Sequence, residues 1–153
     1  MIKWHVINLN IPYINFLDPS IKNNNLCIVD SLNRQITSYN TETENVEWVS
    51  DKLSGMLFTD PVIIGDYLIA ADNQSIIYKF DLRNKSTTPE EINIKTGVIS
   101  NFINHRGFLY FVATNGWLYK ISTNNFSNYN KIEKLDNNPM QDKYLIKKLV
   151  KSG

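Results

Sequence analysis

The chain has one cysteine, Cys27, so it can form no intrachain disulfide. That residue sits in the apolar run Leu26-Cys27-Ile28-Val29, the setting of a buried strand thiol. A nucleophilic thiol needs a histidine base, and only His5 and His105 are present. Charge of either sign is barely in excess: 16 Lys and Arg against 15 Asp and Glu, a net of +1. The basic footprint of a nucleic-acid or anionic-membrane binder is therefore missing, and Lys147-Lys148 with Lys151 is the longest basic cluster. No apolar run reaches about 18 residues, so no membrane-spanning helix is expected. The opening Met1–Asn8 lacks the apolar centre and small-residue cleavage site of an export leader, and none is expected there. Ser-His-Asp order, HExxH, a P-loop and GxGxxG are all missing. The sequence thus nominates no catalytic residue, no cofactor and no metal ligand set, and the chain is expected not to be an enzyme.

What is present is a repeat. The 153 residues suit one ordinary domain, and 42% hydrophobic content suits a real core. In Pro61–Ala71 two apolar runs flank Gly65-Asp66, the signature of a hairpin. After Asp72-Asn73-Gln74-Ser75 comes Ile76–Leu82, rich in β-branched and aromatic residues, then a turn at Arg83–Ser86 and a fourth strand at Glu91–Ile94. Four short antiparallel strands in about 40 residues make one β-propeller blade.

The pattern recurs downstream. Ser100–Asn104 leads into the turn His105-Arg106-Gly107, followed by Phe108–Ala113, a turn at Thr114-Asn115-Gly116, and Trp117–Ile121. Ala71 and Ala113 are 42 apart whereas Tyr78 and Tyr119 are 41 apart, implying one residue lost in the turn between them. Upstream, Asp30 lies 42 before Asp72, Tyr39 lies 41 before Phe80, and Asn45–Trp48 supplies a fourth strand. Trp4 lies 44 before Trp48, so residues 1–8 read as the last strand of a still earlier blade.

The expected fold is all-β: a partial β-propeller of about three four-stranded antiparallel blades over 1–138, at about 9–50, 56–96 and 97–136, with a tail at 139–153. Inter-blade packing is assigned to Trp4, Trp48, Tyr78, Phe80, Trp117 and Tyr119. Asp30, Asp60, Asp66, Asp72 and Asp81 recur near turns, where an Asx side chain bonds nearby amides, and this accounts for them without a metal. Asp72-Asn73 beside Ser75 is the one local oxygen cluster.

Asp60-Pro61-Val62, Gly65-Asp66, Ile76–Asp81 and Glu47-Trp48 together resemble the PQQ-like, or quinoprotein-type, propeller repeat. Two departures stand out: Asn23-Asn24-Asn25 replaces a glycine turn, and no tryptophan recurs after Trp48 in the later blades. Quinoprotein enzymes hold their cofactor with adjacent cysteines, a stacking tryptophan and calcium ligands, and adjacent cysteines cannot occur here. Within the family, the chain looks most like a truncated propeller of the non-enzymatic BamB type, which serves outer-membrane β-barrel assembly. That resemblance implies a protein-interaction scaffold on the periplasmic side of the outer membrane; a lone cysteine suits that compartment and the cytoplasm alike. The alternatives are an inactive fragment of a PQQ-dependent dehydrogenase and a degraded gene product. The expected partner is another polypeptide, or a second copy completing the ring, with no nucleic acid and no membrane span.

Overall fold

The computed structural model describes residues 17–98, 100–126 and 129–134. The expected strand at 1–8, with Trp4, and the tail at 139–153 lie outside the described residues. Among the described residues, twelve strands form three sheets. The first blade comprises β1 (Ser20–Lys22), β2 (Asn25–Asp30), β3 (Gln35–Asn40) and β4 (Asn45–Val49). The second comprises β5 (Val62–Ile64), β6 (Tyr67–Ala71), β7 (Ile76–Asp81) and β8 (Glu90–Asn93). The third comprises β9 (Ile103–His105), β10 (Phe108–Val112), β11 (Trp117–Ser122) and β12 (Tyr129–Lys134). Each sheet is an antiparallel meander in sequence order.

Strand alternation makes each blade two-faced, because successive side chains point to opposite sides of a sheet. Leu68, Ala70, Tyr78 and Phe80 of the second blade join Cys27, Val29, Ile36, Trp48, Leu53 and Leu57 in one buried cluster. Their neighbours Ile69, Ala71 and Ile77 point the other way, into a cluster with Phe102, Leu109, Phe111, Tyr119, Ile121 and Phe126. The second blade therefore has no solvent face of the usual antiparallel kind: its middle strands read as nearly unbroken apolar runs because both sides are covered.

The register between the second and third blades is 41 through their first three strands, and a bulge between Leu118 and Tyr119 shifts part of the fourth. Ile64 pairs with Tyr67 and His105 with Phe108 across two-residue turns; Ala71 pairs with Ile77 and Val112 with Leu118. The isolated bridges Leu57–Asp72 and Val98–Ala113 keep the same spacing. Ala113 is thus the counterpart of Asp72, and Val112 that of Ala71. This corrects the expectation of a residue lost between Ala71 and Tyr78, which rested on a coincidence of two alanines. A real length change separates the first two blades: six residues lie between the paired Val29 and Ile36, and five between Ala71 and Ile77.

Backbone conformation repeats where residue identity does not. Asn23 at φ 52°, Gly65 at 59° and Arg106 at 50° occupy equivalent hairpin turns. Arg34 at 57°, Ser75 at 80° and Gly116 at 79° form a second set, and Glu44 at 57° and Lys85 at 51° a third. Asn23 tolerates the left-handed region because its short amide side chain can bond locally. Hence the first blade makes its hairpin without the glycine that the repeat resemblance would place there.

Gly55 has a different role. A Cβ there would stand 2.6 Å from Asp72 Oδ2 and 2.8 Å from Asp72 Cγ, so the inter-blade connector passes too close to a fully buried carboxylate for any side chain. Gly55→Ala is expected to lower stability by about 1–3 kcal/mol, as overpacking of a fixed site does. At Gly97 the nearest atom is the Thr114 methyl at 3.0 Å, which can give way, so Gly97→Ala is expected to cost less. Urea unfolding of the two variants checks the order; equal midpoints would remove the steric account.

Candidate functional site: the faces and edges between blades

Of the residues assigned to inter-blade packing, Trp48, Tyr78, Phe80 and Tyr119 lie in the two buried clusters, Trp117 packs against one of them, and Trp4 lies outside the described residues. Trp48 is buried on β4 and stacks on Phe80 of the next blade, with ring centroids 5.8 Å apart and planes 26° from parallel. Tyr78 lies in the same cluster. Tyr119 faces the second blade, stacked on Phe111 at 5.3 Å, and Phe111 meets Phe102 edge-on at 5.5 Å. Trp117 is half-buried and packs on the rim of that cluster.

No tryptophan recurs because another pair occupies its place. Trp48 stands opposite Ser38 in the strand register, and Glu90 stands opposite Lys79 at the equivalent positions. Lys79 Nζ lies 3.1 Å from Glu90 Oε2, 4.4 Å from the Tyr67 ring centroid and 5.5 Å from that of Phe126 in the third blade. A large-small pair is exchanged for an ion pair capped by aromatics, in a partly desolvated setting where a cation over a ring is worth about 0.5–2 kcal/mol.

Polar contacts lock the blades in register. Asp18 N–H donates to Asp60 Oδ1 at 2.8 Å, and Asp60 N–H donates to Asn101 Oδ1 at 3.1 Å. Asn101 Nδ2 returns a bond to Asp60 Oδ2 at 2.7 Å. One Asx position at the head of each blade thus reaches its neighbour, with spacings of 42 and 41. Asp60 is therefore an inter-blade link, whereas Asp30 and Asp81 accept turn amides. Ser20 Oγ donates to Pro61 O, and Lys22 Nζ donates to Gly65 O at 2.5 Å, beside an open mixed-charge cleft that also includes Asp66 and Arg83.

Asp72 is the most enclosed polar group. Its Oδ1 accepts the N–H groups of Gln74 and Ile76 at 2.8 and 2.9 Å, and its Oδ2 accepts the Tyr78 hydroxyl at 2.6 Å. The Tyr78 oxygen in turn accepts Ser54 N–H at 3.2 Å, tying the connector to the second blade. Asn73 Oδ1 accepts Met56 N–H at 3.1 Å, so the Asp72 and Asn73 oxygens nominated from sequence are engaged by backbone amides and the Tyr78 hydroxyl. Among the described residues no group of three or more His, Cys, Asp or Glu is placed to hold a metal ion.

Sequence reasoning read Asp60 as a turn residue rather than an inter-blade link, and did not single out Asn101, Lys79, Phe102, Phe111 or Phe126 as contact residues. The 41-residue spacing of Asp60 and Asn101 was a usable signal; Phe126 sits in a turn with no apolar pattern around it. Exposed large apolar side chains are Ile21, Leu32, Val46, Val49, Met56 and Phe58.

No family model matches the sequence, and no curated protein matches it. Solved structures do match. BamB from Moraxella catarrhalis superposes with a TM-score of 0.59 at 12% identity, covering 77% of this chain and 37% of that one. The dihydro-heme d1 dehydrogenase NirN, in complex with DHE, gives 0.64 at 15% identity, covering 74% and 25%. The computationally designed Ika4 protein gives 0.62 at 8% identity, covering 88% and 81%. The blades are those of a β-propeller, and the chain spans little more than a third of the length of BamB.

Burial pushes the Tyr78 hydroxyl up to about 12, and its bond to Asp72 adds to the rise. A raised value means stability that is complete below the ordinary value of 10.0 and is lost as pH climbs towards 12. Tyr78→Phe leaves Asp72 Oδ2 and Ser54 N–H without their partner and is expected to cost about 1–3 kcal/mol near neutral pH. The difference from wild type should shrink as pH rises from 10 to 12, read by urea titration at each pH. A difference constant across that window would show that the hydroxyl is not held neutral by the fold.

Burial likewise lifts the Cys27 thiol to about 11. Cys27 should therefore resist a disulfide reagent at pH 8 in the folded chain and react at once in denaturant. Fast labelling of the native protein would contradict its place in the core.

Proposed function

We propose that this propeller segment is a non-catalytic scaffold that binds other polypeptides, in the manner of a BamB-type accessory to outer-membrane β-barrel assembly. The observation that carries the reading is the connector entering the second blade. Met56 and Phe58 are 45% and 63% exposed, while the alternate residues Leu57 and Thr59 are buried. Phe58 N–H donates to Ala71 O at 2.9 Å, and Asn73 N–H donates to Met56 O at 3.0 Å, so the backbone beneath the two side chains is fixed. A rigid edge offering two large apolar side chains suits contact with an extended polypeptide.

The acidic groups favour the same reading. Asp30, Asp60, Asp72 and Asp81 bond backbone amides of turns or neighbouring blades. Carboxylates already committed to the backbone are poorly placed for acid-base work. The likeness to BamB supports a binding role, and the likeness to NirN keeps a dehydrogenase origin as the rival to be tested.

Two measurements test the proposal. Fluorescence anisotropy with a labelled, unfolded outer-membrane-type polypeptide should show saturable binding, weakened by a factor of about five or more in Phe58→Ser, as for an exposed apolar anchor. Binding equal in the two proteins would overturn the assignment of the site. Dye reduction with added PQQ, calcium and primary alcohols should show no turnover; turnover would overturn the non-catalytic reading.

A further inference from the structure

We infer that the open cleft between the first two blades binds a small zwitterion, a solute of amino-acid size with one carboxylate and one ammonium group. Lys22 and Arg83 receive the carboxylate and Asp66 the ammonium. The site goes beyond the scaffold reading and does not rest on it. The cleft lies at the Tyr67 end of β6, whereas Met56 and Phe58 bond to Asn73 and Ala71 at the other end.

Three turns build the cleft. Lys22, Asn23 and Asn25 come from the β1–β2 hairpin, Asp66 from the β5–β6 hairpin, and Leu82 and Arg83 from the turn after β7. Leu82 N–H donates to Asp66 O at 2.8 Å and Lys22 Nζ donates to Gly65 O, so hydrogen bonds to backbone oxygens tie the turns together. Leu82 is half-buried against the core of the first two blades and gives the cleft an apolar floor. The cavity is about 180 Å³. That is the liquid volume of about six waters, enough for a small solute and below the range of drug-sized ligands.

Asp66 is the aspartate near a turn that the fold does not spend. Asp30, Asp60, Asp72 and Asp81 all accept backbone amides. The Asp66 carboxylate is exposed and, among the described residues, accepts no hydrogen bond and forms no ion pair; only its backbone oxygen is used. Lys22 spends one of its three N–H donors on Gly65 O. Arg83 lies in the field of Asp81, whose carboxyl is held below its usual value chiefly by the Asn84 amide and in smaller part by Arg83. The Asp81 oxygens are filled by N–H groups of Arg83 and Asn84, and no ion pair among the described residues holds the guanidinium.

The repeat shows that the fold does not require these charges. The next junction keeps the backbone frame: Thr123 N–H donates to Gly107 O just as Leu82 N–H donates to Asp66 O. Its side chains differ. Ile64 stands in the place of Lys22, Tyr67 in that of Asn25, Gly107 in that of Asp66 and Asn124 in that of Arg83. Two cations and one anion are thus gathered at the first junction alone of these two. A lone carboxylate there is attracted by Lys22 and Arg83 but repelled by Asp66, and a lone ammonium meets the reverse. A zwitterion matches both signs, and complementary charge selects between such ligands. Asn23 and Asn25 add amides that can donate to or accept from a ligand hydroxyl.

Amide chemical shifts of the nitrogen-15-labelled full chain, followed by NMR during titration with L-serine, read the binding. Saturable shifts are expected at the amides of Asn23, Gly65, Asp66 and Arg83, with a dissociation constant of about 1 mM, as suits a small half-open site. The two halves of the probe, 3-hydroxypropionate without the ammonium and ethanolamine without the carboxylate, should each bind about tenfold more weakly. Asp66→Asn should reverse the preference, weakening serine about tenfold while strengthening 3-hydroxypropionate. Arg83→Gln should weaken serine and 3-hydroxypropionate and leave ethanolamine unchanged. Both substitutions lie in exposed turns, and unchanged shifts elsewhere confirm the fold. No saturation by about 50 mM serine, shifts spread over the whole surface, or an Asp66→Asn chain that keeps the wild-type preference would each overturn the inference. The scaffold reading is decided separately, by polypeptide binding through Phe58.

Discussion

The structure depends on burial of both faces of the middle strands of a blade. Tyr78 and Phe80 reach one neighbour while Ile77, between them, reaches the other. Covering a large apolar side chain contributes about 1.5–3 kcal/mol, and each described blade supplies several. No single four-stranded meander could cover both faces by itself, so the blade stabilises only as a member of a stack. The 41-residue period follows from this, because each copy must offer the same pair of faces in the same register.

Polar chemistry is subordinate to that stack. The ladder of Asp18, Asp60 and Asn101 and the Asp72–Tyr78–Ser54 relay consume carboxylates and amides to fix the distance and tilt between blades. Gly55 exists so that the connector can pass over Asp72. These groups would suggest an acidic site if read from composition alone, yet their geometry makes them fasteners. Where the repeat changes its residues it keeps its contacts. Asn73 Oδ1 and Thr114 Oγ1 both accept the amide of the connector that crosses them, and Thr59 Oγ1 and Ser100 Oγ both cap the amide of a second strand.

Much of this was legible beforehand. Strand alternation around Gly65-Asp66 and the spacing of Tyr78 and Tyr119 disclosed the blades, because period-2 patterning and turn chemistry are local. The partners of Trp48 and Tyr78 were not legible, since they depend on which face a strand turns to its neighbour. Two alanines suggested a register shift that the paired strands exclude. Positive φ at Arg34, Ser75 and Gly116 is a repeat written in backbone conformation, invisible in three unlike side chains. The exposed Met56 and Phe58 were equally hidden, since the alternation that buries Leu57 and Thr59 belongs to an irregular connector rather than a strand.

The central claim is that the blades are held face to face by side chains from the strands of each. The most direct measurement is a double-mutant cycle on Trp48 and Phe80, using Trp48→Leu and Phe80→Leu with urea unfolding of all four proteins. Stacked rings in contact across the interface should show a coupling of about 0.5–1.5 kcal/mol. Strict additivity, with the double variant losing the sum of the two single losses to within about 0.3 kcal/mol, would mean that the first two blades do not meet there.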